Sequence, residues 1–124
     1  MYYVQYAHAR ICSLIARLAE EGDKVPDAAE VDPAVFSTEE EKSLIKTLSQ
    51  LPETIRLSAR DYDPSHVNRY LTTLAGEFHR FYNSCRIKGE APEVLAARLK
   101  LSDTVRAVIA NCLALLGVSA PEKM

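Results

Sequence analysis

Apolar residues recur at three- and four-residue steps along most of the chain. From Tyr3 to about Glu21, Val4, Ala7, Ile11, Leu14, Ile15 and Leu18 form one stripe, and Gly22 supplies a left-handed stop, so the spacing predicts an amphipathic helix. Asp23 to Phe36 holds Pro26 and Pro33 without periodicity and reads as a long surface loop. Ser37 followed by Glu40 matches a capping box and predicts a second helix with Leu44, Ile45, Leu48 and Leu51 turned inward. Residues 52 to 61 continue helically, with Pro52 in the first turn and Ile55 and Leu57 as the apolar members. Asp63-Pro64 joins an N-cap oxygen to a preset φ and starts a helix of about six turns, with Val67, Leu71, Leu74, Phe78, Phe81 and Cys85 on one face. Lys88-Gly89-Glu90 interrupts it. Pro92 opens a last helix with Val94, Leu101, Val105, Val108, Ile109, Cys112, Leu115 and Leu116 inward; Gly117 closes it and Pro121 prevents resumption.

No segment alternates with a period of two, and no tight hairpin turn separates strand-like runs, so the pattern predicts an all-α fold, an antiparallel helical bundle. A chain of 124 residues, 48% hydrophobic and 26% charged, suits a single globular domain over residues 1–124 and is too short for a complete multidomain enzyme. No apolar run approaches the ~20 residues needed to span a bilayer, and the opening Met1-Tyr2-Tyr3-Val4-Gln5 lacks the regions of a signal peptide, which predicts a cytoplasmic protein with no membrane partner. Cys12, Cys85 and Cys112 are far apart and form no CxxC or Cys/His ligand pattern; they read as reduced core thiols, with no disulfide framework and no metal site.

The net charge of −2 conceals an asymmetry: Glu20 to Glu41 holds nine carboxylates against Lys24 alone, a charge of −8, so the remainder carries +6. An acidic segment beside a basic body is compatible with directed binding of a polyanion, while the pI near 5.9 argues against indiscriminate nucleic-acid binding and against DNA as the partner.

Catalytic patterns are absent. There is no Gly-rich phosphate loop, GxSxG elbow or HExxH pair, and no histidine stands beside a cysteine or serine with an orienting carboxylate. His8, His66 and His79 are scattered and read as ordinary core or surface residues. The first helix is more informative, because at 100° per residue its outer face gathers Tyr2, Tyr3, Tyr6, Arg10, Ser13 and Arg17 opposite Val4, Ile11 and Ile15. Phenol rings beside guanidiniums suit the stacking of bases and the neutralising of phosphates, although the same tyrosines would equally serve as a surface covered by another domain. In Phe78-His79-Arg80-Phe81-Tyr82-Asn83-Ser84-Cys85-Arg86, the two phenylalanines point to the core, Arg80 and Arg86 reach solvent, and Tyr82 falls on the border, a place that an ordinary core-edge tyrosine also takes.

Several of these blocks match a known pattern in order. Tyr3-Val4-Gln5-Tyr6-Ala7-His8-Ala9-Arg10 resembles the segment that opens the C-terminal anticodon-binding domain of arginyl-tRNA synthetases. Leu51-Pro52-Glu53 resembles a proline-containing step of the same family, and Tyr70 through Phe78, His79, Phe81, Tyr82 and Asn83 to Cys85-Arg86 resembles its long helix. Ala96-Ala97-Arg98-Leu99 resembles the aspartate-alanine-leucine-arginine signature after which the domain type is named, and the ending from Leu115 to Met124 looks like the family terminus with Lys123 in place of the usual arginine. Because these last two blocks depart from the consensus, no role is carried onto the signature tetrad or Lys123.

The resemblance covers essentially the whole chain. It implies a helical bundle of the class I synthetase anticodon-binding type, within an enzyme that charges tRNA(Arg) with arginine using ATP and magnesium. The catalytic domain would lie upstream, leaving no catalytic residue and no cofactor in this segment. The implied partners are the anticodon stem-loop of tRNA(Arg) and the catalytic domain of the same chain, in a monomer. Among the family's anticodon contacts, a tyrosine of the opening segment corresponds to Tyr6, with Tyr3 as the second choice; a tyrosine of the long helix corresponds to Tyr82; and the terminal methionine corresponds to Met124. Arg10, Arg17, Arg80 and Arg86 are the candidates for the RNA backbone. Rival readings are a free-standing or other-synthetase module of the same fold, a helical protein-interaction domain, and an independent enzyme.

Overall fold

A computed structural model describes residues 1–124 as five α-helices: α1 (Tyr2–Glu20), α2 (Glu39–Ser49), α3 (Leu51–Asp61), α4 (Ser65–Ser84) and α5 (Pro92–Leu115). The α1 stripe buries Val4, Ala7, Ile11, Leu14 and Leu18, with Ile15 at its edge. Gly22 ends the helix at φ +94°, a conformation without penalty only for a residue lacking Cβ; its N–H donates to the Ala19 carbonyl at 3.1 Å, and that of Asp23 to Leu18 at 2.8 Å. The following connection is less irregular than its sequence suggests. Single 3-10 turns form at Ala28–Glu30 and Pro33–Val35, and Val25 and Phe36 fasten the segment to the core.

The second helix begins one residue later than expected. Thr38 caps it: its hydroxyl accepts the Glu41 N–H at 3.1 Å, and the Glu41 carboxylate accepts the Thr38 N–H at 3.0 Å. The same carboxylate takes the Ser37 N–H, so Ser37 donates to the cap and does not form it. The shift turns Glu41 inward, where it is fully buried and meets Arg98 of α5, Nε to Oε2 at 3.0 Å. Replacing Thr38 with alanine is expected to cost about 1 kcal/mol, measurable as a lower midpoint in thermal unfolding followed by circular dichroism.

Gln50 ends α2 and begins α3, and Pro52 occupies the first turn, where its missing N–H has no intrahelical partner to lose. Asp63 accepts the Ser65 N–H at 2.9 Å, and α4 then runs through the middle of the molecule, burying Val67, Tyr70, Leu71, Leu74, Ala75, Phe78 and Phe81. Burial pushes the Tyr70 phenol up to about 12, so it stays a neutral donor to the Thr47 carbonyl at 2.9 Å and ties α4 to α2. In α5 the inward stripe is Leu101, Val105, Ile109, Cys112 and Leu113; Leu115, expected inside, is 68% exposed, because four residues beyond Ile109 the inward place belongs to Leu113. Ile45 is exposed for the same reason, one residue off the face set by Leu44 and Thr47. Cys85 and Cys112 are buried, Cys12 partly so, and all three are free thiols.

Two relations place the surface discussed below. Helix α4 runs antiparallel to α2, from Thr38 beside Cys85 to Thr47 beside Tyr70, whereas α1 and α4 point the same way, from Tyr3 beside Gly76 through Arg10 on Tyr82 to Glu21 beside Lys88. The 23–38 connection leaves and re-enters the bundle at the same end of α4, and it is α2, running antiparallel, that carries the chain back to the start of α4. The tail after α5 folds back along α1: Gln5 Nε2 donates to the Ser119 carbonyl at 2.9 Å, and buried His8 holds the Pro121 carbonyl through Nδ1 at 2.9 Å. His8 is thus a structural fastener. No helix is long and apolar enough to cross a membrane.

Candidate nucleic-acid interface

Because α1 and α4 lie side by side in one direction, their outer residues interleave. The Arg10 guanidinium sits 4.5 Å above the Tyr82 ring, which itself stacks on Phe78 with centroids 5.9 Å apart. A cation over a phenol is attracted to the ring face, so this contact fixes the inclination of both side chains. One turn earlier on α4, His79 stands 5.4 Å from the Tyr3 ring and 6.5 Å from the Tyr6 ring, with Nδ1 3.5 Å from Arg10 Nη1. Burial, reinforced by the neighbouring charge of Arg10, holds the His79 imidazole below its ordinary range, so the ring is neutral at pH 7. With Nδ1 facing a permanent cation, that nitrogen is the acceptor and Nε2 carries the proton. His79 was read from the sequence as ordinary; in the folded chain it joins Tyr3, Tyr6, Arg10 and Tyr82 in one cleft.

Further along the same pair of helices a groove of about 370 Å³ opens between the end of α1 and the 85–90 loop, bordered by Arg17, Tyr82, Asn83, Arg86 and Lys88. Lys88 pairs with Glu21 at 2.7 Å and Arg86 with Glu90 at 3.4 Å, both at the exposed surface, where a competing phosphate displaces such pairs at little cost. Arg17 has no acidic partner. The groove therefore continues the aromatic cleft with positive charge.

Beneath it lies Arg98. Besides its bond to Glu41, it donates from Nη1 to the Arg86 carbonyl at 2.6 Å and lies 4.0 Å from Glu90. The arginine of the signature tetrad is thus the buried post on which the 85–90 loop rests. Its position within the apolar stripe of α5 is the sequence signal for that role.

Two candidates stand apart. Arg80 turns toward α2, bonded to Glu77, which also accepts a bond from Ser43 Oγ at 2.7 Å. Met124 ends the tail held by Gln5 and His8, on the flank of α1 opposite Arg10, and is 54% exposed. No group of three His, Cys, Asp or Glu side chains is gathered where it could hold a metal ion.

An all-helical bundle that sets an aromatic cluster beside a basic groove is the class of module suited to binding RNA. The family model of the DALR anticodon binding domain matches residues 4–124, and the chain belongs to that family. It is 50% identical over its whole length to the arginine–tRNA ligase of Acetivibrio thermocellus and 47% identical to that of Ruminiclostridium cellulolyticum, spanning 22% of the length of each. Among solved structures, the arginyl-tRNA synthetase of Thermus thermophilus superposes with a TM-score of 0.85 at 27% identity, over 98% of this chain and 21% of that one.

Proposed function

We propose that the chain grips the anticodon stem-loop of tRNA(Arg) as one domain of a longer arginine–tRNA ligase. The observation that carries this reading is the cleft of Tyr3, Tyr6, His79, Arg10 and Tyr82, continued by the basic groove of Arg17, Arg86 and Lys88. Unpaired anticodon bases stack on the rings, and the cations meet the phosphates flanking them. Joining arginine to tRNA with ATP and magnesium belongs to the catalytic domain of the same enzyme, a monomer working in the cytoplasm. This segment acts as a single unit that binds and holds no catalytic group. Tyr6 is the first choice for a base contact, with Tyr82 beside it; Tyr3 lines the same cleft. Arg80 and Met124, which stand apart from this cleft, are candidates for RNA contacts outside it.

The test is a titration of the chain with a hairpin carrying an arginine anticodon loop, and with one carrying a different anticodon, at several salt concentrations. With Arg10, Arg17 and Arg86 on phosphates, the logarithm of affinity should fall against that of salt with a slope of about −2, and the altered anticodon should bind more weakly. Salt-independent binding, or no binding, would overturn the reading.

A further inference from the structure

The segment that carries two of the groove cations is tied to the rest of the molecule at few points. Residues 85–88 alternate, with Cys85 and Ile87 buried and Arg86 and Lys88 exposed, and Cys85 lies in extended backbone. A period of two puts both cations on one side, along the groove they border. The N–H groups of residues 86 to 89 donate to no backbone carbonyl. The Cys85 N–H belongs to the last turn of α4, and the Glu90 N–H only closes the loop on Ile87 at 3.4 Å. One hydrogen bond therefore reaches the backbone of 86–89 from outside the loop, that of Arg98 Nη1 to the Arg86 carbonyl at 2.6 Å. Its direction is set on the other side of the guanidinium. Arg98 Nε is committed to Glu41 at 3.0 Å, and the Glu41 carboxylate is itself fixed by the Ser37 N–H and by the N–H and hydroxyl of Thr38. A guanidinium is a rigid planar fork, so fixing one limb aims the other.

We propose that the Glu41–Arg98 pair is a positioning device for RNA binding: by holding the Arg86 peptide, it aims the Arg86 side chain along the groove, where a phosphate sits. This rests on the RNA-binding reading above and gives a role in it to two buried side chains beneath the groove. A buried ion pair stabilises a fold little more than matched apolar residues do, so what this one adds is direction.

Arg98→Lys separates direction from charge. Lysine keeps a cation beside Glu41 but replaces the fork by one ammonium, so the Arg86 carbonyl loses its donor. Measured well below the melting temperature of each protein, the substitution should weaken hairpin binding about three- to tenfold and make the slope of log affinity against log salt shallower by about 0.7, the share of one phosphate contact. Arg86→Ala should do the same, and adding Arg98→Lys to it should cost nothing further, since a device that acts through Arg86 then has nothing left to aim. The double variant Arg98→Met, Glu41→Leu removes the pair without leaving a lone buried charge, and should regain stability over Arg98→Met alone but not hairpin affinity. Parent-like binding by Arg98→Lys or by Arg86→Ala, additive losses in their combination, or affinity that returns with stability in the double variant would each overturn the proposal and leave the RNA-binding reading standing. If the parent itself fails to bind, both fall together.

Discussion

Replacing Arg98 by methionine is expected to destabilise the fold by about 3–5 kcal/mol, the usual cost of stranding one member of a buried ion pair. The substitution keeps most of the aliphatic volume but leaves the Glu41 carboxylate without its cation and the Arg86 carbonyl without its donor. At this chain length the loss corresponds to a fall in melting temperature of more than about 10 °C. Pairing it with Glu41→Leu should recover part of the deficit, because two matched apolar residues bury no lone charge. The parent has a related pH dependence. Burial raises the Glu41 carboxyl, but bonds from Thr38, Arg98 and Ser37 outweigh it and hold the group below its ordinary value of 4.5. A depressed carboxyl contributes stability above its unfolded value, and that contribution disappears as pH falls through the lower folded value. Chemical denaturation at neutral and acidic pH should show this fall in the parent and a weaker one in the double variant. An Arg98→Met protein that melts like the parent would show that the clamp contributes nothing.

Replacing Tyr6 by alanine should weaken hairpin binding roughly ten- to a hundredfold, since stacking one base on an aromatic ring is worth about 1–3 kcal/mol. The ring is 42% exposed and packs against no core aliphatic stripe, so the fold should melt almost as before. Tyr6→Phe separates the two functions of the side chain, keeping the stacking surface while removing the hydroxyl. Unchanged binding by Tyr6→Ala would make this tyrosine mere packing surface and remove the leading site assignment.

Four of the five helices were legible from their apolar stripes and α3, which buries no residue fully, from Pro52 in its first turn; the tyrosine–arginine face of α1 was legible because all its members lie on one helix. What escaped depends on partners far along the chain. Two capping boxes overlap at the start of α2, Ser37 with Glu40 and Thr38 with Glu41, and local rules do not separate them; the choice falls to Arg98, 57 residues away, which only the second box can reach. His79 looked ordinary because nothing near it in sequence is unusual, and its neighbours Tyr3, Tyr6 and Arg10 arrive only when α1 is laid along α4. Arg80 reaches solvent as the sequence suggests, and Glu77, three residues earlier, is the type of partner a helix brings within its reach. Leu115 and Ile45 were placed inside because a stripe of apolar residues has edges, and packing against a particular neighbour decides which edge is buried.

The cleft is divided between α1 and α4, with Arg10 and His79 separated by 69 residues. Neither helix alone completes it, since α1 supplies Tyr3, Tyr6 and Arg10 and α4 supplies His79 and Tyr82, so the surface exists only after a long loop of chain has closed. By thermodynamic linkage, a ligand that bridges the two helices draws on the free energy of the entire fold, and its binding resists global opening as much as local fraying. At a hundred times its dissociation constant such a ligand adds about 2.7 kcal/mol to the stability of the whole chain.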